Sequence, residues 1–324
     1  MEEKALRLSA VFLMILTAVS FVLLPKLPAL HTWEVEAREE RIAEEEFAQS
    51  QVTMQNLKIK EQNEAAGAKG ELSIRLPEGV TGDRIAVSND YVTQTIRVEI
   101  PQADRTYFDS YPVLGNSDYI DGLSYTRQGE MGVIEVTTNK VYELQTEYDA
   151  QNFYFNFLTP HEVYDKVVVI DAGHGGRAVG ANKQGINEKD IDLAIVLKLK
   201  EIFDNSDQNI GVYYTRTDDS NPTFDQRVQL ANKSDADLFI SIHNNSTRSG
   251  RMSGTSGTQV MYDETSEASR QFAQICLEEV TGRIGSRDKG LVEGDSIYII
   301  RTSEVPVALI EVGFMTNKDE LEKL

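Results

Sequence analysis

The chain is poor in cysteine and in basic residues, and each shortage excludes a class of protein. Cys276 is the only cysteine in 324 residues, so neither an intrachain disulfide nor a cysteine zinc site can form. Lysine and arginine total 32 against 52 aspartates and glutamates, a formal net charge of −20. Because nucleic-acid phosphates require a basic surface, we expect no nucleic-acid partner. The same charge disfavours adhesion to anionic polymers or lipids by bulk charge.

The N-terminus carries an uncharged run, Leu8 to Leu24, preceded by Lys4 and Arg7. With its flanking residues this run has about the length needed to span a bilayer, and the positive residues ahead of it place the N-terminus inside. The residues after Leu24 offer no good small-x-small cleavage site. We therefore expect residues 1–30 to be a single-pass anchor in the cytoplasmic membrane, with the remainder extracytoplasmic. The alternative is secretion after signal cleavage.

Three regions of different composition follow this segment. Residues 31–70 are rich in glutamate with no clean heptad, which predicts an acidic helical stalk or linker, with a coiled-coil helix as the alternative. Residues 71–160 contain short alternating runs such as TQTIRVEI between turn residues, which predicts a small all-β domain. Residues 163–324 alternate strands with helices and predict an α/β domain, a mainly parallel sheet with helices on both faces.

Within residues 163–324 the apolar pattern predicts individual elements. Helices are expected at Glu188–Phe203, Phe224–Asn232 and Glu267–Thr281. The segments VVVI, GVYYTR, DLFISIH, GTSGTQVMY, SIYII and VALIEV read as strands.

Four residues with chemically active side chains stand at the ends of these elements. His174 follows the apolar run Val167–Ile170 in a glycine-rich turn, and His243 ends the strand DLFISIH. Glu311 lies near the end of VALIEV, and Glu188 starts a predicted helix. Because α/β sheets keep their chemistry at the carboxyl ends of strands, these side chains are expected to converge. The chain has only four histidines, and two of them end core strands.

Two histidines and a glutamate are an established ligand set for zinc in hydrolytic sites, where a fourth position remains for water. His174, Glu188 and His243 supply that set. Glu311 is then the catalytic carboxylate that takes a proton from the water and returns it to the leaving amine. The alternative, in which each histidine is a core residue and each glutamate a helix-start or surface charge, does not explain why all four coincide.

These residues lie in an ordered series of motifs that resembles the zinc-dependent N-acetylmuramoyl-L-alanine amidases. The resemblance runs from about Lys166 to the C-terminus. Its motifs are DAGHGG (Asp171 to Gly176), GINE (Gly185 to Glu188), TRTDD (Thr215 to Asp219), the arginine and Ala-Asn of FDQRVQLAN (Phe224 to Asn232), SIHNN (Ser241 to Asn245) and IEVGFMTN (Ile310 to Asn317).

The resemblance implies a function for the chain. It implies that His174, Glu188 and His243 bind zinc and that Glu311 is catalytic. The substrate is then peptidoglycan, cut at the amide between N-acetylmuramic acid and L-alanine during cell-wall remodelling, with cell-division or wall-synthesis proteins as possible partners. A β module ahead of an amidase is similar to the AMIN domain that positions such enzymes on the wall, although a spacer domain is the alternative. A zinc carboxypeptidase or other wall peptidase, and an inactive wall-binding scaffold, are the competing functions.

The sequence departs from the family pattern in three places. Ala178 stands where an aspartate is usual, which puts the rigidity of the loop in question, and Lys289-Gly290 replaces an arginine-glycine pair. Family members continue past the TN motif into another helix, whereas this sequence stops at Leu324. Either the sequence is a fragment or the domain lacks a packing helix.

Two further expectations concern the surroundings of the site. Arg216 and Arg227 are expected to pair with Asp218, Asp219 or Asp225 inside the fold rather than to bind substrate carboxylates. Some family members carry an inserted helix that plugs the zinc cleft. Here the interval between the second histidine motif and the final glutamate strand has little room for one, which predicts an open cleft controlled through location.

Overall fold

The computed structural model describes residues 27–61 and 69–324. The run Leu8 to Leu24, on which the expected anchor depends, lies outside these ranges. Among the helices inside them, none combines the length and the apolar character that a bilayer crossing requires.

The first described element is a long helix, α1 (Leu27–Ser50), of 24 residues. Its many glutamates and alanines favour helix, which explains why it forms where the acidic stalk is expected. It does not stand away from the rest of the protein, because Ala43 on one face is only 3% exposed. The helix ends at Ser50, whose hydroxyl donates to the carbonyl of Phe47.

Ten strands between Gln55 and Leu158 form two five-stranded sheets. The order of the first sheet is β1 (Gln55–Asn56), β7 (Ile120–Gln128), β8 (Met131–Thr138), β5 (Thr95–Pro101) and β4 (Ala86–Asp90). The order of the second is β2 (Lys60–Glu61), β6 (Leu114–Gly115), β3 (Leu72–Arg75), β10 (Asn152–Leu158) and β9 (Glu143–Tyr148). All neighbours pair antiparallel except β2 and β6.

The two sheets share one apolar core. Alternate residues of β5 and of β10 point inward, among them Ile96 and Val98 from the first sheet and Phe153 and Phe155 from the second. This alternation is the period of two that a half-buried strand requires. A short helix, α2 (Arg105–Ser110), closes the core through Phe108. Whether this β unit is an AMIN domain stays a prediction.

The remaining chain is built on a six-stranded sheet. Its order is β14 (Ile210–Tyr214), β11 (Lys166–Ala172), β15 (Leu238–Asn245), β18 (Val307–Phe314), β16 (Thr258–Tyr262) and β17 (Asp288–Glu293). All neighbours are parallel except β16 and β18. A two-stranded ribbon, β12 (Asn182–Lys183) and β13 (Ile186–Asn187), lies outside the sheet. The mainly parallel sheet expected from the sequence is confirmed.

Helices cover both faces of this sheet. They are α3 (Pro160–Val163), α4 (Glu188–Asp204), α5 (Phe224–Lys233), α6 (Glu267–Ile284), α7 (Tyr298–Arg301) and α8 (Lys318–Leu321). On one face, Val169 of β11 belongs to a cluster that includes Leu230 of α5. On the other, Ile170 belongs to a cluster with Val196 of α4 and Leu277 of α6. Because both faces are buried, the strands are apolar throughout instead of alternating.

Within residues 163–324 the predicted elements agree with the observed ones except at one segment. SIYII was expected to be a strand, but it forms the short helix α7. The edge strand of the sheet is β17, which the sequence did not predict. A short apolar run has no period that separates strand from helix. The helix is selected by packing, since Ile299 and Ile300 are both buried in the cluster that includes α5.

Candidate active site

The four residues that the sequence singled out meet at the carboxyl-end edge of the sheet. His174 lies two residues after β11, and His243 and Glu311 are register partners on the neighbouring strands β15 and β18. Glu188 is the first residue of α4. Adjacent parallel strands end at the same edge, which is why residues far apart in sequence come together here.

The turn after β11 has a backbone that its sequence explains. His174 has φ of 58°, a left-handed conformation that a residue with a side chain rarely adopts. Gly173 is required beside it, because a Cβ there would clash with the ring of His243. The DAGHGG motif therefore bends the chain sharply and lets the two imidazoles approach, with ring centroids 4.8 Å apart.

Two buried arginines hold this turn by its backbone carbonyls. Arg216 donates to the carbonyls of Ala172 at 2.9 Å and Gly173 at 2.6 Å. Arg227 donates to the carbonyls of Ala172 and His174, both at 2.7 Å. Charged donors make strong hydrogen bonds to carbonyls in a buried setting. The strained backbone of His174 is thus fixed from both sides.

Asp171 neutralises one of these arginines. Its carboxylate lies 2.7 Å from Arg227 and accepts 2.6 Å hydrogen bonds from Thr215 and Ser241. Burial alone would raise the pKa of Asp171, but Arg227 and the two hydroxyls outweigh it and lower the pKa to about 2. Both arginines lie inside the fold, as predicted, but the prediction of their aspartate partners was wrong. Arg227 pairs with Asp171, and Arg216 binds backbone carbonyls, including that of Asp218.

Glu188 is the centre of the ligand cluster. Its Oε1 lies 3.1 Å from His174 Nε2 and 3.1 Å from His243 Nδ1, and it accepts the backbone N–H of Asn244 at 3.1 Å. Its Oε2 accepts the backbone N–H of Ala181 at 2.8 Å. The carboxylate is thereby held in one orientation facing both imidazoles.

This arrangement fits a zinc ion by donor type and spacing. Zinc bonds to imidazole nitrogen and carboxylate oxygen are about 2.0–2.2 Å long, so two ligand atoms of a tetrahedral site lie about 3.3 Å apart. The two 3.1 Å separations centred on Glu188 Oε1 are close to that value. Together with Asp192, the three residues offer ligand atoms that all lie within 4.8 Å of one another.

The electrostatics of the cluster favour a cation. Burial lowers the pKa of His174, but Glu188 and Glu39 outweigh it and raise that pKa well above its ordinary value. Burial would raise the pKa of Glu188, yet the two histidines hold it far below its ordinary value. The cluster therefore concentrates negative charge on Glu188 and stabilises positive charge placed next to it, as the pKa of His174 shows.

Two further carboxyls are buried beside the cluster. Glu311 Oε2 has no hydrogen-bond partner among the described residues, and burial followed by the charge of Glu188 raises its pKa. Asp192, which the sequence reading missed, accepts from Asn244 at 2.8 Å and has its pKa raised by burial and by Glu188. The signal for Asp192 was its position four residues after Glu188, on the same face of α4.

The loop that carries Ala178 in place of the usual aspartate is closed by backbone hydrogen bonds. Ala178 is 4% exposed and exchanges two backbone hydrogen bonds with Gly175, at 2.8 and 3.0 Å. Main-chain pairing thus closes the turn next to the ligands.

The expectation of an open cleft is wrong. Within the described chain the interval from His243 to Glu311 holds only β16, α6, β17 and α7, so the sequence reading correctly found no inserted plug there. The cleft is covered by α1 instead, and Glu39 of that helix lies 3.1 Å from Nδ1 of His174.

The buried ion pair of Asp171 generates a stability prediction. Replacing Asp171 by Asn leaves Arg227 buried without a charge partner, which should lower the free energy of unfolding at neutral pH by about 3–5 kcal/mol. Because the folded pKa lies below the ordinary value of 3.8, the carboxylate contributes roughly 2 kcal/mol above pH 4, and this is lost as the pH falls through about 2. The difference in the free energy of unfolding between Asp171→Asn and the parent protein should therefore narrow between pH 4 and pH 2. Urea titrations at each pH measure it.

Asp207→Asn is the matched control, because Asp207 is exposed. Its free energy of unfolding should equal that of the parent protein at neutral pH, and the two should not diverge as the pH falls. A gap for Asp171→Asn that stays constant from pH 7 to pH 2 would contradict the assignment.

Comparison with known proteins identifies the family of this domain. The sequence profile of the N-acetylmuramoyl-L-alanine amidase family matches residues 168–324. The uncharacterized protein YqiI of Bacillus subtilis is 38% identical over 165 residues, which cover 49% of this chain and 75% of that protein. The N-acetylmuramoyl-L-alanine amidase CwlM of Bacillus licheniformis is 32% identical over 157 residues, 48% of this chain and 60% of that protein.

Among solved structures, an N-acetylmuramoyl-L-alanine amidase from Clostridium difficile 630 aligns at 34% identity with a TM-score of 0.46, over 49% of this chain and 84% of that one. These matches cover about half of the chain, and the chain spans 75% and 60% of the two relatives' lengths. Residues 168–324 therefore form an N-acetylmuramoyl-L-alanine amidase domain, and the chain belongs to the family that its motifs predicted.

Proposed function

We propose that this protein hydrolyses the amide between N-acetylmuramic acid and L-alanine in peptidoglycan, with zinc as its cofactor. His174, Glu188 and His243 would hold the ion. The observation that carries the proposal is the convergence of these three side chains on one point, with both ring nitrogens 3.1 Å from Glu188 Oε1, inside a domain of the amidase family.

The chemistry divides between the ion and the protein. When bound, zinc supplies Lewis-acid polarisation of the amide carbonyl and activates water as a nucleophile at neutral pH. The protein supplies two imidazoles and one carboxylate whose positions the surrounding hydrogen bonds fix. Arg216 and Arg227 hold the turn that carries His174, and Asn244 and Ala181 hold Glu188 through their backbone N–H groups.

Glu311 carries the proton in this mechanism. Its Oε2 is buried next to the ligand cluster with no hydrogen-bond partner in the described structure, so no other group of the described chain competes for its proton. A cation at the cluster favours its ionised form, which offsets the effect of burial. The carboxylate then takes the proton of the attacking water and delivers it to the nitrogen of the departing L-alanine.

The products of wall digestion test the proposal. Purified peptidoglycan incubated with the protein should release stem peptides that begin with a free L-alanine amino group, and leave glycan with intact lactyl carboxylates. Mass spectrometry after amino-group labelling distinguishes the candidates. Peptides cut internally or at their carboxyl end would indicate a wall peptidase, and no release would indicate a scaffold.

The division of roles predicts the behaviour of Glu311→Gln. This variant should keep its zinc but lose turnover by a factor on the order of 10² to 10⁴, the usual range for a general acid or base. Glu304→Gln, at an exposed position shortly before β18, is the control and should behave as the parent protein does. Loss of zinc from Glu311→Gln, measured by elemental analysis, would place Glu311 among the ligands and refute its proposed role.

We also propose that the enzyme works outside the cytoplasmic membrane, anchored by residues 1–30. The support is the uncharged run Leu8 to Leu24 behind Lys4 and Arg7. Protease added to intact, wall-stripped cells should digest the β unit and the amidase domain. Protection of both would refute the orientation, and a soluble form with a trimmed N-terminus would favour signal cleavage.

A further inference from the structure

Helix α1 presents four glutamates on a single face. Glu39, Glu40 and Glu46 lie three, four and ten residues after Glu36, which places all four on the same side of an α-helix. Ala43 lies in the middle of this face and is 3% exposed, whereas Glu44 beside it is exposed. The acidic face of α1 is therefore the one that packs against the protein.

The centre and the C-terminal end of this face bind the turn that carries His174. Glu39 reaches Nδ1 of His174 at 3.1 Å, on the side of the ring opposite the nitrogen that faces Glu188. Glu46 accepts from the backbone N–H and from Nε of Arg177, both at 3.0 Å, and from Nδ2 of Asn221 at 3.0 Å.

The other two glutamates bind backbone N–H groups at the starts of two helices. Glu36 accepts the N–H of Tyr298 at 2.8 Å, at the first residue of α7, and lies 3.7 Å from Arg301. Glu40 accepts the N–H of Phe224 at 2.7 Å, at the first residue of α5. Such N–H groups have no partner within their own helix, so they are available to an anion.

The consequence is a covered site. With α1 in place, the side chain of His174 is only 11% exposed and that of His243 only 18%. The donors along the rim of the cleft, including Arg177 and Asn221, are already occupied by carboxylates of the same chain. A substrate must therefore displace α1, or meet a protein from which α1 has left.

We propose that α1 is an intrasteric inhibitor that occupies the places of an acidic peptide substrate. This proposal rests on the proposed function only because the site that α1 covers is the amidase site. That α1 covers it follows from the contacts of α1 described above. Arg177 and Asn221, which hold Glu46, are then the residues that bind a carboxylate of the substrate peptide. Because α1 is attached by ion pairs and hydrogen bonds at the rim, it can detach without unfolding the sheet.

A displaced helix tests this proposal in the full-length protein. Ala43→Arg puts a long charged side chain at the buried centre of the face, and Glu46→Lys repels Arg177 without touching a ligand. Glu44→Arg is the matched control, because it introduces arginine on the exposed side of the same helix. Three quantities are measured in each: zinc loss to an added chelator, deuterium exchange of residues 34–50, and turnover of soluble muropeptides.

In Ala43→Arg and Glu46→Lys we expect faster exchange of residues 34–50, faster zinc loss and a gain in turnover of about tenfold or more, with no change in Glu44→Arg. Faster deuterium exchange and faster zinc loss without any hydrolysis would support the proposal that α1 covers the site. The same result would refute the proposed amidase function. Unchanged deuterium exchange and unchanged zinc loss in both variants would refute the proposal that α1 covers the site. Lower zinc content together with lower turnover would also refute it, since α1 would then help to hold the metal instead of inhibiting the enzyme.

Discussion

The site depends on two buried arginines that bind the carbonyls at the end of β11. Arg216 and Arg227 together occupy the carbonyl oxygens of Ala172, Gly173 and His174, which a strand would otherwise use for pairing. The strand therefore stops, and the chain turns with His174 in a left-handed conformation. Two guanidinium groups in a protein interior carry a large desolvation cost, which the carbonyls and the carboxylate of Asp171 offset. A change in this network should misplace a ligand without touching it.

The same network connects the stability of the sheet to its chemistry. Asp171 lies on β11 and accepts from Ser241 on β15, the strand that carries His243. His243 in turn is in register with Glu311 on β18. Three adjacent strands are thus locked at the level where their functional side chains emerge, so the ligand atoms are preorganised by the fold.

Much of the site could be predicted from the sequence because its residues stand at element ends. His174, Glu188, His243 and Glu311 were identified this way, since the carboxyl ends of neighbouring parallel strands must meet. The partners of Arg216 and Arg227 could not be predicted. Their nearest aspartates in sequence are not their neighbours in space, and backbone carbonyls leave no trace in composition.

The position of α1 was also beyond local reasoning. Its acidic composition predicts a helix, but where a helix packs depends on contacts more than 130 residues away, such as that of Glu39 with His174. One signal was present: Glu36, Glu39, Glu40 and Glu46 share a face whose centre is Ala43 instead of a charged residue. An acidic face with a small apolar centre suggests a docked helix and not a solvated stalk.

The central claim is that two imidazoles and one carboxylate of this chain hold a single zinc ion. X-ray absorption at the zinc edge, on the purified protein with its metal content measured, tests it directly. The spectrum should require two imidazole ligands and oxygen donors at about 2.0–2.2 Å, with one zinc per chain. A spectrum with fewer than two imidazoles per zinc, or a protein that binds no zinc at all, would contradict the account.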